Sequence, residues 1–156
     1  MAVDLKAANL LPPRSDEFFR IFARFEFALK MAGYCQLQKD KVEIDWDGFA
    51  NSSEMGKPFF KIATTSGLCP TMLSDPPKAE TINNGQWGFA SSAAKPVSAQ
   101  DLMGLVRRVR NNMFHGGKYF SGDAKRDAAL VFEAIAVLLA AVEIDPDINF
   151  FFEGRA

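Results

Sequence analysis

The segment between Asp123 and Pro146 constrains the fold most, because it predicts a helix that is apolar on nearly every side. Its large apolar residues are Leu130, Val131, Phe132, Ile135, Val137, Leu138, Leu139 and Val142. A helix of this kind is stable only when other helices or a second chain cover it. Asp123 is a suitable cap for its first turn, and Pro146 cannot continue it. We therefore expect this helix at the centre of a bundle or in the core of a dimer.

Two other segments have apolar residues at steps of three and four, the spacing of a helix with one buried face. The first begins at Ser15, and its stripe consists of Phe18, Phe22, Phe25, Leu29 and Ala32. Gly33 follows as a residue suited to the position after a helix. The second begins at Ser98, and its stripe consists of Leu102, Val106, Val109 and Met113. Asp101 completes a variant of the capping box, and Gly116-Gly117 end this helix.

The middle of the chain, residues 34–97, is less regular and contains most of the prolines. A short helix capped by Asp45 is expected as far as Met55, and Pro58 suits the first position of another. Beyond Ser66 the helical pattern breaks up. Asn84-Gly85 is a typical two-residue turn for a small hairpin, whose arms would be Thr81-Ile82 and Trp87-Gly88-Phe89.

These patterns predict an all-α fold: a bundle of four or more helices, with an irregular middle segment and room for one small β-hairpin. The 156 residues are enough for one domain with a substantial core, so we expect residues 1–156 to form a single unit. The longest uncharged apolar run, Ala134 to Val142, is too short to cross a bilayer. Since no secretory signal precedes Arg14, we expect a soluble, cytoplasmic protein.

The charge of the chain excludes nucleic-acid binding through bulk electrostatics, because the net charge is only −1. The charges are unevenly distributed along the chain, however. Residues 106–126 carry six basic residues and one acid, which leaves the remainder of the chain at −6. Any contact with a nucleic acid is therefore expected to be local. Cys35 and Cys69 match neither a redox motif nor a zinc-ligand pattern, so we expect reduced thiols and neither a metal nor a cofactor.

The only histidine, His115, lies where the helix after Ser98 should end. A cation at a helix C-terminus is often no more than a favourable partner for the helix dipole. Helical geometry adds a second interpretation, since Arg107, Asn111 and His115 fall on one stripe, with Gly104 one turn earlier. Arg110 diverges from His115 by about 140° in an ideal helix.

An imidazole beside arginines suits chemistry on a phosphodiester. Attack of an RNA 2′-OH on its phosphate needs a general base, a general acid and cationic stabilisation of the transition state. One imidazole cannot easily supply both proton transfers in one step. A twofold axis near Gly104 and Asn111 would bring two copies of His115 into one cleft.

The segment Arg110-Asn111-Asn112-Met113-Phe114-His115-Gly116 resembles the Arg-x4-His motif of the HEPN superfamily (higher eukaryotes and prokaryotes nucleotide-binding). Its place at the end of the penultimate long helix is similar to the family arrangement. The segments Phe19 to Lys30, Asp45 to Ala50 and Pro76-Pro77-Lys78 also resemble the pEK-type, plasmid-borne bacterial branch. Together these segments are spread over residues 19–116 of the chain.

The resemblance implies a homodimeric, metal-independent endoribonuclease of the toxin or phage-defence type, often accompanied by an antitoxin protein. Arg110 would stabilise phosphate charge, Asn111 would orient the substrate or the imidazole, and His115 would be the acid and base. Arg107, Arg108 and Lys118 are then the expected RNA-binding residues. The alternative is a homodimer that binds RNA or a nucleotide without cleaving it.

Overall fold

The computed structural model describes residues 1–115 and 122–155, and these ranges contain seven helices and two small sheets. The helices are α1 Ser15–Met31, α2 Trp46–Ala50, α3 Gly56–Thr65, α4 Pro70–Ser74, α5 Ala99–Phe114, α6 Ala124–Ile144 and α7 Pro146–Phe152. The strands are β1 Cys35–Gln38, β2 Lys41–Ile44, β3 Glu80–Asn83 and β4 Gln86–Phe89. Each sheet is an antiparallel hairpin, β1 with β2 and β3 with β4.

Helix α6 runs through the core, as its sequence predicts. It packs against α1, α4, α5 and α7, and α3 also contacts it. Leu130, Val131 and Leu138 have no exposed surface. On one side, however, α6 remains uncovered: Phe132 is 57% exposed and Leu139 is 37% exposed. The described part of the chain therefore does not bury the whole apolar surface of this helix.

The prediction of an all-α fold is wrong, because the chain is a mixed fold of helices and two β-hairpins. The β3–β4 hairpin was expected, and its turn at Asn84-Gly85 has both residues in the left-handed region. The β1–β2 hairpin was not expected. Its turn is Lys39-Asp40, with Lys39 at φ 54°, and lysine seldom adopts that conformation. Because most side chains of β1 and β2 are exposed, no alternation of buried and polar residues marks them.

Several helix ends also differ from the prediction. Asp45 caps α2 by accepting a hydrogen bond from Gly48 N at 2.9 Å, but α2 ends at Ala50 rather than at Met55. Helix α3 begins at Gly56, so Pro58 stands at its third residue. Two short helices were missed, α4 and α7, each of which begins with a proline. Both are a few residues long, and a period of 3.6 is hard to detect over so short a stretch.

A buried glutamate holds α4 against α6. Glu133 of α6 is only 4% exposed, and its two carboxylate oxygens accept hydrogen bonds from the backbone of Thr71 (2.8 Å) and Met72 (2.9 Å). These N–H groups lie in the first turn of α4 and have no partner within that helix. Burial, with a smaller effect of the nearby Glu133, raises the pKa of the Cys69 thiol to about 11. Cys69 is therefore a protonated, buried thiol at neutral pH.

Within residues 1–115 and 122–155, no helix combines the length and the apolar character that crossing a bilayer requires.

Candidate functional site

The predicted polar stripe of α5 lines a cleft of about 410 Å³. The described residues around it are Ala79, Glu80, Gly104, Arg107, Arg108, Asn111, Asn112 and His115. The expectation that Gly104, Arg107, Asn111 and His115 share one face of the helix is thereby confirmed. The other wall of the cleft comes from the start of the β3–β4 hairpin.

His115 stands at the end of α5, as its sequence predicts. Its backbone N–H donates to the Asn111 carbonyl at 2.9 Å, and His115 is the C-cap residue of the helix. The side chain is 56% exposed, and its Nδ1 lies 3.5 Å from Oε2 of Glu80 on β3. The two groups form an ion pair when the imidazole is protonated. The expected imidazole therefore has a carboxylate partner that the sequence did not indicate.

Three side chains fix the segment that leads into β3. Arg126 of α6 contacts the Asp75 carboxylate at 2.7 Å and donates to the carbonyls of Asp75 and Pro76. On α5, Arg108 donates to the Pro77 carbonyl at 3.2 Å, and Asn112 donates to the Lys78 carbonyl at 3.0 Å. Each residue from 75 to 78 thus has its carbonyl held by a side chain of α5 or α6. We call this segment, residues 75–78, the clamped turn.

The three arginines of α5 have different surroundings. Arg107 is exposed, lines the cleft and places its guanidinium 5.3 Å from the centre of the Trp46 ring. Arg108 is partly buried and is engaged by the clamped turn. Arg110 lies over the rings of Phe22 (5.5 Å) and Phe114 (5.0 Å). It is not among the described residues that line the cleft, in agreement with its divergent direction on the helix.

Asn111 connects the two sides of the helix, because its Oδ1 accepts a hydrogen bond from Arg110 at 2.9 Å while the residue lines the cleft. The structure thus brings Arg107, Asn111 and His115 together and links Arg110 to them through Asn111. Lys118 and Gly116-Gly117, which were expected to bind RNA and to end α5, lie outside the described residues.

A second cleft of about 390 Å³ adjoins the first along α5. Both clefts are lined by Gly104, Arg107 and Arg108, and the second also includes Lys95 and the carboxylates of Asp47 and Asp101. At Gly104, an added Cβ would meet no atom of the described residues within 4 Å. The polar face of α5 is therefore open at its middle.

Two residues of the site were missed from the sequence. The sequence did not indicate Glu80 as a site residue, because no sequence pattern relates a strand residue to a histidine 35 positions later. Asn112 is only 2% exposed and follows Arg108 at the four-residue spacing of one helix face. Its position beside the core residues Val109 and Met113 could have indicated a buried amide with a structural partner.

Among the described residues, no three side chains of histidine, cysteine, aspartate or glutamate are grouped closely enough to hold a metal ion. The chain matches no family model, no curated protein and no solved structure. The resemblance to the HEPN superfamily accordingly stays a prediction that rests on the residues themselves.

Proposed function

We propose that the chain is a metal-independent endoribonuclease of the HEPN type that cleaves RNA at the cleft of a homodimer. The observation that carries this proposal is the cleft itself, in which an exposed imidazole and an exposed guanidinium lie on one face of α5. His115 is the acid and base, and Arg107 and Arg108 contribute positive charge for the phosphate. Asn111 lines the cleft and links Arg110 to it by accepting a hydrogen bond from its guanidinium.

The reaction begins when a base removes the proton of a ribose 2′-OH. The 2′ oxygen then forms a bond to the adjacent phosphorus, and the bond from phosphorus to the 5′ oxygen breaks as an acid protonates that oxygen. The products are a 2′,3′-cyclic phosphate and a free 5′-OH. Imidazole suits both proton transfers near neutral pH, and arginine stabilises the extra negative charge of the transition state.

The chemistry favours a homodimer, because each chain has one histidine and the reaction uses two proton-transfer groups. Two features of the surface support it. The face of α5 is open at Gly104, where a second backbone can approach closely, and α6 leaves Phe132 and Leu139 exposed. Sedimentation analysis should give twice the chain mass of 17.2 kDa, whereas a monomer at assay concentrations would contradict the dimer.

The alternative function, a homodimer that binds RNA or a nucleotide without cleaving it, is favoured by one observation. Arg110, the arginine of the motif, packs on Phe22 and Phe114 and is not among the described residues lining the cleft. A binding protein needs only the exposed cation of Arg107, since phosphate contacts provide affinity without catalysis.

The analysis of cleavage products separates these functions. We expect the purified protein to cleave single-stranded RNA in the presence of EDTA and to leave 2′,3′-cyclic phosphate and 5′-OH ends. End labelling before and after treatment that opens the cyclic phosphate will identify these ends. A 5′-phosphate product would contradict the proposal, because it indicates attack by water. RNA that is bound but intact would support the alternative.

Arg107→Ala is expected to weaken RNA binding under either function, because Arg107 is the exposed arginine of the cleft. Losing one phosphate contact should reduce the slope of log K against log salt by about 0.7 for single-stranded RNA. Fluorescence anisotropy over a range of salt concentrations measures this slope. Arg20→Ala on α1 is the matched control, since Arg20 is exposed and pairs with Asp16 away from the cleft. Equal slopes for Arg107→Ala and the wild type would contradict a phosphate contact at Arg107.

A further inference from the structure

We infer that Glu80 is a positioning residue that holds the neutral His115 as the tautomer protonated on Nδ1, so that Nε2 is the atom that exchanges protons with RNA. The assignment of Nε2 to the reaction rests on the proposed function, whereas the tautomer itself does not. Nδ1 lies 3.5 Å from the Glu80 carboxylate, and a proton on that nitrogen is the one that a carboxylate attracts. The other ring nitrogen, Nε2, then keeps its lone pair.

The distance between Glu80 and His115 excludes Glu80 as the second acid or base. In an in-line displacement the entering 2′ oxygen and the leaving 5′ oxygen are on opposite sides of the phosphorus, so the base and the acid must flank the phosphate. Two groups in contact at 3.5 Å leave no space for a phosphate between them. Glu80 therefore acts through the imidazole, and the second proton-transfer group comes from elsewhere.

The position of Glu80 is fixed by backbone contacts that do not depend on its side chain. Glu80 pairs with Phe89 across the β3–β4 hairpin, and Ala90 N donates to the Ala79 carbonyl at 2.9 Å. The clamped turn attaches the start of β3 to α5 through Arg108 and Asn112. Because His115 ends the same helix, these contacts hold the backbone that leads into Glu80 against the helix that carries the imidazole.

The carboxylate contributes little to stability at this position. The His115 and Glu80 side chains are 56% and 28% exposed, and ion pairs with that much solvent add at most about 1 kcal/mol. Within the described part of the chain, Oε1 of Glu80 is buried and has no hydrogen-bond partner, which is unfavourable. Burying this carboxylate is costly and its ion pair adds little stability. Its contact with His115, the only histidine of the chain, therefore explains its position better than a contribution to stability does.

Nuclear magnetic resonance tests the inference directly, because the single histidine gives one pair of imidazole ¹⁵N signals. We expect the neutral ring in the wild type to carry its proton on Nδ1, and in Glu80→Ala to carry it on Nε2, as free histidine prefers. The matched control is Glu43→Ala, which removes an exposed glutamate from the other hairpin and should retain the wild-type tautomer. RNA cleavage by Glu80→Ala should fall about 10–100-fold, the loss typical when the hydrogen-bond partner of a metal-bound histidine is removed.

A neutral wild-type imidazole protonated on Nε2 would overturn the inference, as would the same tautomer in the wild type and in Glu80→Ala. The first of these outcomes needs only the wild-type spectrum, so the inference can be overturned even if Glu80→Ala fails to fold. If the tautomer differs between the wild type and Glu80→Ala but the wild type does not cleave RNA, the role of Glu80 is supported and the proposed ribonuclease is contradicted. Cleavage with an unaffected tautomer would support the ribonuclease and overturn the role of Glu80.

Discussion

Replacing His115 by alanine is expected to reduce RNA cleavage by about 10²–10⁴-fold, the usual contribution of one acid–base residue. The fold should be retained, because the side chain is 56% exposed and its ion pair with Glu80 is accessible to solvent. Initial rates on single-stranded RNA in EDTA measure the effect. Lys30→Ala is a suitable control, since Lys30 is also an exposed residue at the last turn of a helix.

RNA affinity separates loss of chemistry from loss of binding in this experiment. We expect His115→Ala to bind RNA nearly as tightly as the wild type, because Arg107 and Arg108 remain in the cleft. A variant that cleaves RNA at the wild-type rate would contradict the role of His115. If the wild type and His115→Ala both bind RNA and neither cleaves it, the non-catalytic alternative is the correct function.

Glu133→Ala is expected to lower the free energy of unfolding by about 3 kcal/mol. The substitution leaves the part-buried N–H of Thr71 and the buried N–H of Met72 without their acceptor, and an unpaired buried group costs about 1–3 kcal/mol. It also leaves a void beside α4, where Met72 and Cys69 have no exposed surface. Urea denaturation followed by circular dichroism measures this change. If the slope of the unfolding free energy against urea concentration is the same in both proteins, the shift of the midpoint urea concentration gives the loss of stability.

Two variants of α6 define the origin of that loss. Glu143→Ala is the control, because Glu143 is exposed on the same helix, and its effect should stay within about 0.5 kcal/mol. Glu133→Gln preserves the shape and one acceptor oxygen, so its effect should fall between those of the two alanine variants. A loss below about 0.5 kcal/mol for Glu133→Ala would show that Glu133 does not hold the first turn of α4.

The elements that could be predicted are those whose pattern is local. The stripe from Phe18 to Ala32 predicts α1, and Ser98 with Asp101 predicts the start of α5. There Asp101 N donates to the Ser98 hydroxyl as expected, whereas the Asp101 carboxylate accepts from Val97 N rather than from Ser98 N. Asn84-Gly85 predicts the β3–β4 turn because few other dipeptides adopt its conformation easily. Lys39-Asp40 forms the two-residue turn of β1–β2 with a positive φ at Lys39 alone of the two, and without the Asn-Gly signal, so the hairpin and with it the mixed fold class were missed.

The sequence by itself determined the polar face of the site, since a helical period of 3.6 residues places Arg107, Asn111 and His115 on one side of α5 and directs Arg110 away. Only the tertiary structure determined which residues of other segments contact that face. Glu80 reaches His115 because Arg108, Asn112 and Arg126 hold the carbonyls of the clamped turn, contacts between segments that are distant in the chain. Such contacts have no period along the sequence, because they depend on how complete helices and strands pack together.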